Sequence, residues 1–86
     1  MRYEIIIQPT AEKCLDKIPR PVRRRIADAM EKLRANPRPA GVVKLAAHEN
    51  LWRIRIGDYR VVYEIHDDRL VVLVLRVAHR KDVYRP

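Results

Sequence analysis

Three arginines alternate with apolar residues in the segment 51–65, and their side chains are suited to binding phosphate. Successive side chains of a strand point to opposite faces, so Arg53 and Arg55 share one face while apolar residues occupy the other. Gly57-Asp58 is a turn dipeptide, and the strand that follows returns Arg60 to the same polar face. The sequence therefore predicts a β-hairpin that presents three guanidinium groups to a polymer of phosphates.

The crowding of these like charges indicates that the hairpin binds a ligand. A solvated outer face is the alternative and explains many such alternations. However, like charges that lie directly opposite each other on neighbouring strands cost free energy. Only Glu64 is expected on the same face to offset the three arginines. We therefore interpret the cluster as an anion-binding surface.

A second set of reactive side chains follows the last apolar run of the chain. Residues 70–77 are almost continuously apolar, which is typical of a central strand buried on both faces. Four side chains come directly after it and should lie beside the hairpin, with Tyr84 offering a ring on which a base can stack. A frayed basic terminus is the alternative. The four are His79, Arg80, Lys81 and Tyr84.

The charge of the chain predicts an anionic partner. The 86 residues, 1–86, have room for a single domain and carry a net charge of +8. Of the 19 basic residues only five are lysines, and arginine binds phosphate in a bidentate manner. A codon bias of the genome is another source of arginine. The excess positive charge still favours a nucleic acid, an acidic protein or both as partners.

Several other classes of protein are not expected. The longest uncharged apolar run, residues 70–75, is far shorter than the roughly 20 residues of a membrane span. The first residues lack a signal-peptide pattern, so the expected location is the cytoplasm, with no membrane partner. The single cysteine, Cys14, excludes an internal disulfide and a cysteine zinc cluster. We interpret Cys14 as a buried helix residue, with a catalytic thiol as the alternative.

The pattern of reactive residues predicts neither a metal nor a cofactor. The three histidines are widely spaced and lack an accompanying carboxylate pattern. The chain has only two glycines, which rules out a glycine-rich phosphate loop, and it has no serine for a nucleophile elbow.

The elements that must position these side chains are predicted in the order β-α-α-β-β-β. Residues 2–8 alternate as a short strand. Thr10 is expected to cap a helix from Ala11 to about Ile18, and Pro21 suits the first turn of a second helix.

The second helix carries an apolar stripe and is expected to end at residues 36–39, Asn-Pro-Arg-Pro. A loop over residues 40–50 then leads to the hairpin, and Asp67-Asp68 forms the next turn. The chain is therefore predicted to be α+β, a small, mainly antiparallel sheet with a helical hairpin packed on one face and the arginines on the other. The stripe consists of Val22, Ile26, Met30 and Leu33.

Two segments resemble the RelE/ParE superfamily of type II toxin–antitoxin toxins, and the resemblance extends over nearly the whole chain. The first is Leu51–Tyr63, Leu-Trp-Arg-Ile-Arg-Ile-Gly-Asp-Tyr-Arg-Val-Val-Tyr. The second is Val77–Tyr84, Val-Ala-His-Arg-Lys-Asp-Val-Tyr, which is more similar to the RelE branch. Members of that branch are similar in fold to microbial ribonucleases and cut messenger RNA in the ribosomal A site.

The resemblance implies the catalytic residues and the reaction. By motif position the catalytic residues are Arg53, Arg55, Arg60, Arg80 and Tyr84. In the implied reaction the ribose 2′-hydroxyl attacks the adjacent phosphorus and the 5′-oxygen leaves, without a metal. Arg55 and Arg60 would neutralise the phosphorane, Arg80 would hold phosphate or assist the leaving group, and Tyr84 would orient a base.

This chain departs from the best-known RelE, which carries lysines where Arg53 and Arg55 stand here. One of those lysines is the proposed base, and a guanidinium is a poor base at neutral pH. His79 is our leading candidate for the base, because an imidazole is poised near pH 7. Glu64, Lys44 and Lys81 are the alternative bases, and a reaction that relies on electrostatics and ribosomal positioning is a further alternative. The two lysines are also expected to bind RNA.

The resemblance also implies partners. These are a cognate antitoxin with a flexible, acidic segment, the ribosome and its messenger RNA, and operator DNA only through the antitoxin complex. Two other functions stay open at this point. One is inhibition of DNA gyrase, as in the ParE branch, and the other is a non-catalytic module that binds nucleic acid or protein.

Overall fold

The computed structural model describes residues 2–45 and 50–79 of the chain. These residues form two helices and one five-stranded sheet, so the predicted α+β class is confirmed. None of the helices in these ranges is both long and apolar enough to cross a membrane. The elements are β1 (Glu4–Ile7), α1 (Pro9–Asp16), α2 (Arg20–Lys32), β2 (Val43–Lys44), β3 (Leu51–Ile56), β4 (Tyr59–His66) and β5 (Val71–His79).

The strands lie in the order β1-β5-β4-β3-β2. β1 runs parallel to β5, and the other three pairings are antiparallel, which matches the predicted mainly antiparallel sheet. The strand β2 falls in the segment that was predicted to be a loop. It has two residues, paired with Arg53 and Trp52, and is too short to produce an alternating pattern.

The second helix packs its predicted apolar stripe against the core, but the details of α1 differ from the prediction. It begins at Pro9, and Gln8 at the N-cap position makes no side-chain capping bond. The predicted cap at Thr10 is therefore wrong, and the Thr10 hydroxyl donates instead to the Leu75 carbonyl at 3.5 Å. Cys14 is exposed, contrary to prediction, because the buried side of this short segment is formed by Ala11, Leu15 and Ile18.

The core lies between the helices and one face of the sheet. In β4 and β5 every core-facing side chain along the middle of the strand is buried. The apolar stripe of α2 belongs to the same core. The opposite face of β5 is only half-buried, so the prediction that this strand is buried on both faces fails for its second face. The core residues include Val61, Tyr63, Ile65, Val72, Val74, Ile26, Met30 and Leu33.

Candidate active site

The β3–β4 hairpin places three predicted phosphate-binding arginines on one face of the sheet. Arg55 lies directly opposite Arg60, and Arg53 lies opposite Val62. Gly57 makes the tight turn with a φ of +60°, in the left-handed region that favours glycine. The predicted hairpin and its turn are therefore confirmed, and the like charges of Arg55 and Arg60 do lie across from each other.

These three arginines differ in their exposure. Arg60 is buried, with 7% of its surface exposed, whereas Arg55 is exposed and Arg53 is half-buried. The Arg55 Nε donates a hydrogen bond to the Gly57 carbonyl at 3.0 Å, which ties this side chain to the turn. Arg60 is therefore a charge at a fixed position, and Arg55 and Arg53 are the guanidinium groups nearest to solvent.

A β-bulge brings a fourth arginine to the same face. The β4–β5 register shifts between Val62 and Tyr63, so that Leu75 has no partner residue on β4. Arg76 then lies opposite Val62, and its side chain is exposed. Sequence reasoning missed Arg76 because a bulge leaves no mark on an apolar run, and strict alternation from Val74 would turn residue 76 toward the helices.

Val62 is thus the centre of a charged cluster. Arg53 and Arg76 flank it on the neighbouring strands, at a Cα separation of about 4.5–5.5 Å. Arg60 and Glu64 lie two positions away along β4 on either side, at roughly 7 Å. We call these five residues the Val62 site. It combines an apolar floor with three cations and one carboxylate.

The carboxylate of this site is held by a histidine. The His66 Nε2 donates a hydrogen bond to Glu64 Oε1 at 2.8 Å, and both side chains are about 30% exposed. A carboxylate is only an acceptor, so the ring nitrogen must carry the hydrogen. None of the described residues donates a hydrogen bond to Glu64 Oε2, which leaves that oxygen able to accept a proton.

The other candidate bases lie elsewhere. His79 pairs with Tyr59 on the helix-bearing side, where the two rings meet edge to face at 5.2 Å. Lys44 pairs with Trp52 on that side too, with its Nζ 5.7 Å from the ring centroid. Of the candidates that the structure describes, only Glu64 therefore shares a face with the arginines. Arg80, Lys81 and Tyr84 lie outside the described residues.

A polar cluster on the helix-bearing side holds β3 in place. The Arg38 guanidinium forms two hydrogen bonds to Asp67, the shorter at 2.8 Å, and lies 5.1 Å from the Trp52 ring centroid. The Tyr3 hydroxyl donates to the same carboxylate at 2.6 Å. The cluster joins β3, the turn after β4 and the segment before β1. These residues are far apart in sequence, so no local sequence pattern predicted that they would contact one another.

We expect this cluster to make folding stability sensitive to acid. Hydrogen bonds from Arg38 and then Tyr3 lower the pKa of Asp67 below its ordinary value of 3.8. A lowered pKa contributes stability above pH 3.8 and loses it as the pH falls through the folded-state value. Urea unfolding should show Asp67→Asn to be less stable than wild type at pH 7, with a smaller difference at pH 2.

The neighbouring carboxylate provides the control for this experiment. Asp68 is exposed in the same turn, and no described residue forms an ion pair with it. Asp68→Asn should therefore leave the unfolding free energy close to wild type at both pH values. Equal pH profiles for the two variants would show that the Arg38 contact does not stabilise the fold.

Comparison with known proteins gives consistent matches over nearly the whole chain. The sequence model of the ParE toxin of the type II toxin–antitoxin system parDE matches residues 5–84. Toxin RelG of Mycobacterium tuberculosis is 31% identical over 86 residues, which covers 99% of both chains. The archaeal RelE–RelB complex from Pyrococcus horikoshii OT3 matches with a TM-score of 0.83 and 30% identity, over 93% of this chain and 97% of that one. The intact Escherichia coli RelBE toxin–antitoxin complex matches with a TM-score of 0.79 and 26% identity, over 90% and 95% of the two chains.

Proposed function

The chain belongs to the RelE/ParE superfamily of type II toxin–antitoxin toxins, and from this membership we propose that it is an endoribonuclease that cleaves messenger RNA in the ribosomal A site. The observation that carries the proposal is the Val62 site. On one face of the sheet, Arg53 and Arg60 supply cations for a phosphorane and Glu64 supplies a carboxylate for proton removal. The relatives named RelE and RelG favour this branch over the gyrase-directed one.

In the proposed reaction the phosphate lies over Val62. The 2′-hydroxyl loses its proton to Glu64 Oε2 as its oxygen bonds to phosphorus, and the bond from phosphorus to the 5′-oxygen then breaks. Arg53 and Arg60 stabilise the charge that builds on the phosphorane. The products are a 2′,3′-cyclic phosphate and a 5′-hydroxyl end, whose proton comes from water, while the charge of Arg80 assists the leaving oxygen.

Glu64 serves this scheme better than His79, which we favoured on sequence grounds. Only Glu64, of these two, extends from the arginine-bearing side of the sheet. The His66 hydrogen bond fixes one oxygen of the carboxylate and so orients the other. A base must lie within hydrogen-bond reach of the proton that it removes, and the two faces of a sheet point in opposite directions.

The ribosome has a role that an exposed sheet face cannot perform. Such a surface binds phosphate but does not hold a flexible RNA strand in the in-line geometry that the reaction needs. Alignment of reactants accounts for a large part of many catalytic barriers. We therefore expect free RNA to be a poor substrate and A-site messenger RNA a good one.

The proposed protein partner is an antitoxin with an acidic, flexible segment. The net charge of +8 favours fast, salt-sensitive association with such a segment. On the same face as the arginines lie two exposed apolar side chains, Ile6 and Val43, at 42% and 44% exposure. Both known complexes above pair a RelE toxin with a RelB antitoxin. An acidic segment with apolar residues among its carboxylates would match this surface.

Cleavage on programmed ribosomes tests the proposal. Purified protein should cut messenger RNA at the A-site codon and leave a 2′,3′-cyclic phosphate end. Arg53→Gln should slow the cut by about 100-fold, as expected when a transition-state donor is lost. The matched control is Arg24→Gln, because Arg24 is exposed on α2, away from the site, and carries the same charge. No cleavage by wild type, alongside an active RelE, would contradict the proposal.

Inhibition of DNA gyrase is the second candidate, because the matching sequence model is that of the ParE toxin. Expression in growing cells separates the two functions. Immediate arrest of translation with intact supercoiling supports the ribonuclease. Filamentous cells with DNA damage and relaxed plasmids support the gyrase inhibitor.

A further inference from the structure

The β-bulge in β5 determines which side chain joins the Val62 site. Val74 and Val77 are both buried against the core although three positions separate them, which strict alternation does not allow. The extra residue, Leu75, restores the core-facing position at Val77 and turns Arg76 to the arginine-bearing face. Bulges occur frequently beside active sites, where they redirect a side chain.

Arg76 and Arg53 are two guanidinium groups that have no ionic partner among the described residues. Neither forms an ion pair or a hydrogen bond with any described residue. Among the described residues the carboxylate beside them is Glu64, which accepts its hydrogen bond from His66. Both guanidinium groups are therefore suited to binding an anion from outside the described residues.

The spacing of the two arginines matches an extended anion better than a small one. They lie on β3 and β5 with Val62 of β4 between them, so their Cα atoms are two strand spacings apart, or about 10 Å. When Arg53 binds the phosphate that reacts, the guanidinium group of Arg76 is placed toward the next phosphate of the RNA backbone. Arginine forms bidentate hydrogen bonds to phosphate oxygens, which suits this task.

We propose that Arg76 binds a backbone phosphate of the RNA next to the one that is cleaved, so that the RNA crosses the sheet from β3 toward β5. This inference rests on the proposed ribonuclease function, but it concerns binding rather than the chemical step. Arg76 is then a positioning residue. Its loss raises KM by about tenfold, as expected for a charged hydrogen bond, and leaves kcat near wild type.

Salt-dependent binding gives the direct test. The probe is a fluorescent single-stranded RNA with 2′-O-methyl riboses, which the enzyme cannot cut, and anisotropy is measured from roughly 50 to 200 mM salt. For single strands the slope of log affinity against log salt falls by about 0.7 for each phosphate contact that is lost. Arg76→Gln should show this loss, whereas Arg76→Lys should keep the wild-type slope and bind more weakly, because lysine keeps the charge without the bidentate geometry.

Arg24→Gln on α2 is again the matched control, since it removes the same charge away from the sheet. An unchanged slope for Arg76→Gln, or an equal loss for both variants, would overturn the inference and show Arg76 to be a solvated surface residue. Wild type that does not bind the RNA at all would overturn it as well. RNA binding with the expected Arg76 effect, but without cleavage on ribosomes, would reject the ribonuclease function and the place of this phosphate beside a cleaved one, and would keep only Arg76 as a contact to an RNA phosphate.

Discussion

Replacing Glu64 with glutamine is expected to slow ribosome-dependent cleavage by about 1,000-fold, within the range typical of a lost general base. Glutamine has nearly the same shape, and its carbonyl oxygen can still accept the His66 hydrogen bond that Glu64 Oε1 accepts at 2.8 Å. It cannot take the proton of the 2′-hydroxyl. The measurement is the single-turnover rate on programmed ribosomes at saturating protein, which excludes changes in binding and product release from the comparison.

Two further variants sharpen this experiment. Glu12→Gln removes an exposed carboxylate from α1, on the other side of the sheet, and should cleave at the wild-type rate. His79→Gln distinguishes our two candidate bases, because His79 lies against Tyr59 on the helix-bearing side. A large loss in His79→Gln with a normal rate in Glu64→Gln would return the role of base to His79.

The largest expected effect on stability is at Tyr63. This side chain is fully buried in the core, and its hydroxyl donates a hydrogen bond to the Pro37 carbonyl at 2.8 Å. Tyr63→Ala should lower the free energy of unfolding by about 3–5 kcal/mol, as for other large-to-small changes of buried aromatic residues. Since small proteins are stable by only roughly 5–15 kcal/mol, this variant should be close to unfolded at 37 °C.

Tyr63→Phe isolates the contribution of the hydroxyl. It keeps the ring but leaves the Pro37 carbonyl without this donor, and should cost about 1 kcal/mol. Burial raises the pKa of Tyr63 from 10.0 to about 12. A raised pKa contributes stability below pH 10, which is lost as the pH rises toward 12, so the advantage of wild type over Tyr63→Phe should shrink across that interval. Equal urea midpoints for the two proteins at pH 7 would contradict a stabilising role for the hydroxyl.

Much of the fold could be predicted because periodicity is local. The stripe of Val22, Ile26 and Met30 at helical spacing predicted α2. The alternation around Arg53 and Arg55 predicted both the strand and the face on which these residues lie, because each side chain's direction depends only on its position in the strand. The turn at Gly57 fixed where the return strand begins.

The remainder depended on contacts between distant segments. The predicted cap at Thr10 failed because Pro9 already starts the helix. The buried position predicted for Cys14 failed because the sheet accepts only a narrow stripe of α1. The ion pair of Arg38 and Asp67 could not be predicted, because these residues are 29 positions apart and only the tertiary fold brings them together.

The candidate site was predicted in part, because strand alternation is local whereas the β-bulge and the contacts between side chains are not. The arginines of the hairpin lie where alternation placed them. Glu64 was expected on the same face and was one of the alternative bases. The hydrogen bond from His66 that orients its carboxylate was not foreseen. Arg76 was missed because of the one residue that β5 holds in excess of its partner. His79 lies beside the hairpin, as predicted, but on the helix-bearing side.

The bulge at Leu75 reverses the side of the sheet toward which every later side chain of β5 points. If Leu75 took its place in a regular ladder, without the bulge, His79 would face the same side as Arg53, and Arg76 would point at the helices. Losing the bulge, with the sequence unchanged, would thus replace a permanent cation with a histidine at this surface. Related toxins with and without this bulge would display different side chains here from similar sequences, so this strand must be aligned by the direction of its side chains.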